Sequence, residues 1–265
     1  MTATLPKYGG RPIDEREKAA PAGWARAVAF GLAVALLAVA AVVGWLAFAQ
    51  AARLGRVGAD LTLYLDATRA WIGGASFYPA DQLAGPYAIT DGDILYPPST
   101  IPLFAAFLVL PAVLFWLVPL AVTGWVVLRH RPAPWTWPLM ALCLAYIPTT
   151  VKIVHGNPFM WTTAGVALGT LYGWPAVFAL LKPSLAPFAL LGIRRRSWWI
   201  AAAGFALLAL AFAPMWPDYL RTLLDSRGGG LFYSLSDVPL MLLPIIAWLG
   251  RHDRGKRWTL VWSSG

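Results

Sequence analysis

The sequence predicts an all-α, polytopic helical membrane protein, and three observations carry that expectation. Hydrophobic residues make up 59% of the 265 and charged residues only 12%, about half the charged share of a soluble domain and too few to cover a soluble surface. The apolar segments are continuous rather than alternating, which excludes a closed β-barrel. The basic residues stand in short clusters between those segments: Arg129 and Arg131, then Arg194, Arg195 and Arg196, then Arg251, Arg254, Lys256 and Arg257. Short cytoplasmic loops have this composition, so the formal charge of +9 reads as topology anchoring, with no nucleic-acid partner.

Residues 1–26 are polar and of mixed charge, and read as a disordered cytoplasmic tail. The apolar stretch that follows exceeds the roughly 7–15 residues of a signal-peptide core, so it reads as a retained first span over about 27–50. The remainder, 27–265, reads as a single transmembrane domain without internal repeats. An external loop over about 53–98 sets Asp60, Asp66, Asp81, Asp91 and Asp93 against Arg53, Arg56 and Arg69; it is the least basic loop and belongs outside the cytoplasm. The stretch 99–128 is interrupted by Pro102, Pro111 and Pro119 and ends at the Arg129 cluster. Residues 135–154 return outward to Lys152, His155 and Asn157.

The stretch 158–193 is too long for one span and too short for two with a turn. It holds Gly173, Pro175, Pro183 and Pro187, and the Arg194 cluster requires an odd number of crossings. The consistent solution is a broken element, a short partial helix plus one full span. Residues 197–213 go out again to a second external loop over about 214–236, with Trp216, Asp218, Tyr219, Arg221, Asp225, Arg227 and Gly228 to Gly230. Residues 237–249 come back. The sum is roughly six net crossings, or about eight membrane helices counting partial ones. The final Thr259 to Gly265 segment restarts apolar after a basic loop, and reads as an interfacial tail or the first turn of a further span. The single cysteine, Cys143, permits no internal disulfide and no Cys/His metal spacing, and reads as a packing residue.

Four places carry residues suited to chemistry. Asp60 follows the first span and opens a segment in which Leu61, Tyr64, Leu65, Trp71 and Ile72 recur at helical spacing, as in an interfacial helix. A carboxylate there serves equally as a general base or as a helix cap; Asp66 and Arg69, spaced i, i+3, fit a surface ion pair. Tyr96, Pro97 and Pro98 stiffen the point of membrane re-entry. His155 and Asn157, one turn after Lys152, can hydrogen-bond a sugar or phosphate, although a lone His is more often packed or solvated. Lys182 lies in a run otherwise uncharged from Phe159 to Ile193; an intramembrane cation marks a functional site by default and calls for a phosphate or carboxylate partner, unless it snorkels to the interface. No Gly-rich nucleotide cradle or nucleophile triad is present.

Taken in order, Asp60-Leu-Thr-Leu-Tyr64, the segment from Ala70 to Tyr78, Tyr96-Pro-Pro98, the His155-Gly-Asn157 turn, and Leu181-Lys182-Pro183 followed by Arg194 to Arg196 resemble glycosyltransferase family 87. The resemblance covers about residues 25–265. It implies a GT-C-like membrane fold in the plasma membrane, with the N-terminus cytoplasmic and the site on the extracytoplasmic side. It implies a polyprenyl-phosphate-mannose donor, a glycan or glycolipid hydroxyl as acceptor, and inversion at the anomeric carbon. Asp60 matches the position of the family's catalytic Asp and would act as general base. Chemistry then assigns Lys182 to the lipid phosphate and His155 and Asn157 to orientation, with Tyr64, Tyr96 and Asp66 as further binding candidates. No cofactor is expected, and a divalent metal stays open. Two departures stand out: His155 and Gly156 occupy a turn where the family usually has Gln, and family members extend through further spans. A small transporter or channel, and an accessory subunit or inactive fragment of a longer transferase, are the competing readings; the absence of an inverted repeat weighs against transport.

Overall fold

The computed structural model describes residues 23–90, 92–227 and 235–251. Most of the expected N-terminal tail, Asp91, Gly228 to Gly230, the basic residues Arg254, Lys256 and Arg257, and the Thr259 to Gly265 segment lie outside the described residues.

Among the described residues the chain is helical apart from one pair of two-residue strands. The first helix, α1 (Gly23–Arg53), starts four residues before the expected span. Its run of Ala, Leu and Val contains no Pro, and at about 1.5 Å per residue it reaches roughly 46 Å. Only 6% of its most apolar window is buried, and that window has a mean hydropathy of 2.6. Its buried residues, Ala33 and Ala51, are small, so it lies close against the bundle while presenting its large side chains outward. After α1 come α2 (Ala59–Ile72) and the single turn α3 (Ala80–Leu83), then α4 (Ile101–Ala106) and α5 (Leu114–His130). The break between α4 and α5 falls around Pro111, as the prolines of 99–128 predict.

Helices α6 (Trp137–Ala145) and α7 (Ile147–His155) form one path bent by 59°. Tyr146 at the bend is extended, and Pro148 removes a donor from the next turn. Helix α8 (Phe159–Tyr172) follows, then α9 (Arg196–Ala211), α10 (Trp216–Asp225) and α11 (Val238–Leu249). The path from α9 to α10 is bent by 70° at a short turn around Pro214. By length and apolarity, α1 alone is a membrane-crossing helix among the described residues, and the number rises to three if each bent pair is one span.

The stretch 158–193 differs from the expected partial helix plus full span. After α8 the chain makes two 3-10 segments, Trp174–Leu181 and Pro183–Gly192, joined by an extended Lys182. The first runs back along α8: a Cβ on Gly165 would lie 2.6 Å from Phe178 Cβ, and one on Gly169 would lie 2.7 Å from Ala176 Cβ. The second returns to the start, since a Cβ on Gly192 would lie 2.2 Å from the Gly173 carbonyl oxygen. The result is a hairpin with its base at Gly173 and Gly192 and its tip at Lys182. Runs of 3-10 helix beyond three or four residues are uncommon. Here Pro175, Pro183 and Pro187 remove donors that an α-helix would need. The larger rise, about 2 Å per residue, brings the second arm close to the length of α8, while the shorter first arm spans about three quarters of it. The net displacement from 157 to 193 is that of α8 alone.

The two ends of the bundle differ in composition. At one, His130 bonds Thr170 at 2.7 Å, the Ala133 amide donates to the Gly250 carbonyl at 2.8 Å, and Arg195 donates to the Leu171 carbonyl at 3.3 Å. Arg131, Arg195 and Arg251 gather there. At the other, the Gly58 amide donates to the Val154 carbonyl at 3.1 Å and Trp116 Nε1 to the Ile153 carbonyl at 2.7 Å. Successive paths through the bundle therefore alternate in direction between a basic end and the end that carries Asp60.

The two loops expected outside the membrane pack on each other. Strand β1 (Tyr87–Ala88) pairs in parallel with β2 (Ser226–Arg227), and the Tyr87 hydroxyl donates to the Thr222 carbonyl at 2.9 Å. Gln82, fully buried, receives the Ile94 amide at 2.9 Å and donates to the Tyr87 hydroxyl at 2.9 Å. Tyr78 is buried against Tyr219; burial, with Tyr219 and Asp218 nearby, raises its phenol above the usual range and keeps it neutral. Beneath them Tyr64 stacks on Phe104 at 4.7 Å and meets the edge of Tyr96 at 5.3 Å.

The hairpin base yields a test. Gly192→Ala is expected to lower stability by about 1–3 kcal/mol, because the new Cβ meets backbone that cannot rotate away. Gly204→Ala, with open space around it in α9, is expected to be neutral or to stabilise by up to about 1 kcal/mol. Thermal unfolding in detergent checks both, and equal shifts for the two variants would contradict the close contact.

Candidate functional site

The site lies at the end where α2, α7, α8 and α11 meet. Helix α2 begins at Gly58, whose φ of 73° places it in the left-handed region, and no side-chain cap is present. Asp60 stands in the first turn of α2. Its carboxylate turns to the neighbouring helix end: Oδ2 accepts from Asn157 Nδ2 at 2.6 Å, and Oδ1 lies 4.0 Å from His155 Nδ1. The positive end of α2 favours the ionised carboxylate.

Asn157 follows from how α7 ends. Gly156, at φ 75°, closes α7 with a left-handed residue. A Cβ there would approach the Trp116 ring to 2.8 Å, so Gly serves both the turn and the contact. Trp116 also lies against Gly58 and wedges the start of α2 and the end of α7 together. Asn157 Oδ1 accepts from the Tyr96 hydroxyl at 2.8 Å and from the Phe159 amide at 3.2 Å. With its oxygen so engaged, the amide must present its N–H to Asp60.

Tyr96 is buried, and Lys182 Nζ lies over its ring at 5.1 Å from the centroid. Lys182 itself is buried. Its side chain is 3% exposed and pairs with Asp237 Oδ2 at 2.5 Å. Asp237 is fully buried at the head of α11 and also takes Lys152, which in turn donates to Ser236 at 2.6 Å. Of the two partners the sequence allowed for Lys182, the structure supplies the carboxylate.

A cavity of about 530 Å³ opens beside Asp60. Arg56, Asp60, Lys152, His155 and Asn157 form its polar wall, and Ala47, Ala51, Ile147 and Val151 its apolar wall. A second cavity, about 560 Å³, is lined by apolar residues such as Leu142, Tyr146, Pro239 and Leu242, and shares Ile147 and Pro148 with the first. Among the described residues no group of three or more His, Cys, Asp or Glu gathers as metal ligands would.

The structure thus brings Asp60, His155 and Asn157 together at the cavity, places Tyr96 and Tyr64 behind them in the core, and keeps Lys182 one layer deeper. Asp66 lies apart, paired with Arg69 at 2.7 Å on the exposed face of α2. Asp237 was not anticipated from the sequence, although it is the only charged residue between Arg227 and Arg251. The reasoning that singled out Lys182 applies to a lone acid heading an apolar run, but the expected loop boundary at 236 passed it by. Comparison with protein-family models, with curated proteins and with solved structures returns no match.

Chemically, the arrangement offers a positioned carboxylate that can take a proton, cations that can face an anion, and an apolar wall beside both. The buried charges give a second test. Asp237→Asn leaves two lysines without their carboxylate and is expected to lose about 3–5 kcal/mol. Asp66→Ala, which removes an exposed pair, is expected to change stability by less than about 1 kcal/mol. Denaturant titration of the purified protein in detergent distinguishes the two effects.

Proposed function

We propose that this chain is a membrane glycosyltransferase that moves a sugar, mannose by the motif resemblance, from a polyprenyl phosphate to a glycan or glycolipid hydroxyl, with Asp60 as general base. The observation that carries the reading is Asp60 itself: a carboxylate oriented by Asn157 on the wall of a cavity that is polar on one side and apolar on the other. A lipid-borne sugar requires such a divided surface. The ordered motifs resembling family 87 add to it.

The alternating paths support a GT-C-like arrangement with about six crossings. In order these are α1, the broken α4–α5 pair, the bent α6–α7 path, α8 with its re-entrant hairpin, the bent α9 path and α11. The basic end then faces the cytoplasm of the plasma membrane, and Asp60 faces the extracytoplasmic side.

In the reaction, the acceptor hydroxyl gives its proton to Asp60 as its oxygen attacks the anomeric carbon. The bond from that carbon to the phosphate oxygen breaks on the opposite face, the electron pair leaves with the lipid phosphate, and the configuration inverts. Asn157 holds Oδ2 and His155 lies 4.0 Å from Oδ1, so the carboxylate that receives the proton is oriented from two sides. His155 is within reach of a sugar hydroxyl or the phosphate.

The direct test is transfer from polyprenyl-phosphate-mannose to a panel of acceptors in reconstituted membranes. Asp60→Asn is expected to lower transfer by about 10²–10⁴-fold or more, with expression and folding intact. Transfer that persists in Asp60→Asn would remove Asp60 as the base. A wild-type protein that transfers no sugar from any polyprenyl-phosphate donor would sink the proposal.

A further inference from the structure

We infer that Lys152, held by the buried Asp237, is the cation that receives the phosphate of a lipid-linked substrate, and that Lys182 is a structural counter-charge. This rests on the reading of the cavity as the site for a lipid-borne sugar. The argument begins with charge. Asp237 is fully buried and takes both Lys152 and Lys182. Among the described residues these two ammonium groups share the one carboxylate of Asp237, and excess charge away from water is costly. The two lysines are not equivalent. Lys182 is 3% exposed at the hairpin tip, whereas Lys152 is 26% exposed and lines the cavity. The excess therefore resides where solvent or an anion can meet it.

Position gives the second part. Lys152 and His155 are spaced i, i+3 on α7 and share one face, the face toward Asp60. Among the residues lining the cavity, Lys152 and Arg56 oppose the single carboxylate of Asp60, so the cavity favours an anion. Bonds from Lys152 to both Asp237 and Ser236 fix its ammonium, so little side-chain freedom is lost on binding.

The third part is the apolar surroundings. Ile147 and Pro148 belong to the walls of both cavities, so an anion at Lys152 lies next to a continuous apolar surface. An anionic group with a hydrocarbon chain attached fits both parts at once. The chemistry is that of a phosphate ester on an isoprenoid or acyl chain. Free phosphate would use the cation alone.

The test is binding of polyprenyl phosphate, without any sugar, to the full chain in phosphatidylcholine nanodiscs. Lys152→Gln leaves Lys182 and Asp237 as a neutral pair, so the fold is expected to hold, with thermal unfolding as the check. Loss of a charge-assisted hydrogen bond is expected to weaken binding roughly 10- to 100-fold and to flatten its dependence on salt. Lys152→Arg is expected to restore most of the affinity. Arg129→Gln, which removes the same charge at the opposite end, is expected to leave it unchanged. Wild-type affinity in Lys152→Gln, or equal losses in Lys152→Gln and Arg129→Gln, would overturn the assignment. If Lys152→Gln does not fold, an affinity of Lys152→Arg as low as that of a chain-free background would overturn it as well. Inorganic phosphate binding as tightly as the lipid, with the same need for Lys152, would show a free-anion site and overturn the lipid assignment. No sugar is transferred in this assay, so a protein that binds polyprenyl phosphate through Lys152 yet transfers nothing would refute the transferase reading alone.

Discussion

A carboxylate with no access to water and two lysines on it is the constraint from which this end of the molecule is built. Asp237 ties three elements that are remote in sequence: the head of α11, the face of α7 and the tip of the 3-10 hairpin. An apolar packing contact could be exchanged for another of similar volume. An ionised group in this position admits few alternatives, because losing the carboxylate would leave two lysines uncompensated, one of them deeply buried. The hairpin tip is held at its depth by Lys182, and the extended backbone at that residue is where the two arms separate.

Around this anchor the neutral polar groups are arranged so that each has one role. Asn157 turns its oxygen toward Tyr96 and Phe159 and its nitrogen toward Asp60. Tyr96 in turn offers its ring face to Lys182. The cavity wall and the buried ion cluster are thus joined by a continuous line of contacts. The aromatic core of Tyr64, Phe104 and Phe115 backs that line on the inner side. What faces the cavity is mobile only to the extent that this backing allows.

Much of the fold was legible in the sequence, for reasons that can be named. The long uncharged run of α1 leaves no choice but a helix, and the break near Pro111 is foreshadowed by the prolines of 99–128 because a missing N–H is a local fact, whereas the 59° bend before Pro148 was not anticipated in the stretch 135–154. Among the described residues Arg131, Arg195 and Arg251, one from each basic cluster, stand at one end of the bundle. Asp60 and His155 were singled out from position and chemistry, and they do share a cavity. The failures were of a different kind. The sequence left open whether Asp60 caps or acts as a base and whether Lys182 meets a phosphate or a carboxylate, because the partners that orient them, Asn157 and Asp237, lie 97 and 55 residues away. The hairpin of 174–192 was misjudged because hydropathy counts residues, and 3-10 geometry covers more length with fewer of them. The packing of the two outer loops rests on Gln82 and Tyr87, and nothing local in either residue announces a partner beyond position 220.

The pairing of β1 with β2 has a consequence for how the chain comes into being. Tyr87 meets Thr222 across 135 positions, and Asp237 closes the ion cluster only after nearly all of the described chain has been made. Contacts so distant in sequence form late, after a large entropic cost of closure. During synthesis Asp60 and Lys182 leave the ribosome well before α11 exists, so every nascent chain passes through a stage in which Lys182 lacks the carboxylate it will finally hold. That interval is when the chain is most open to misassembly.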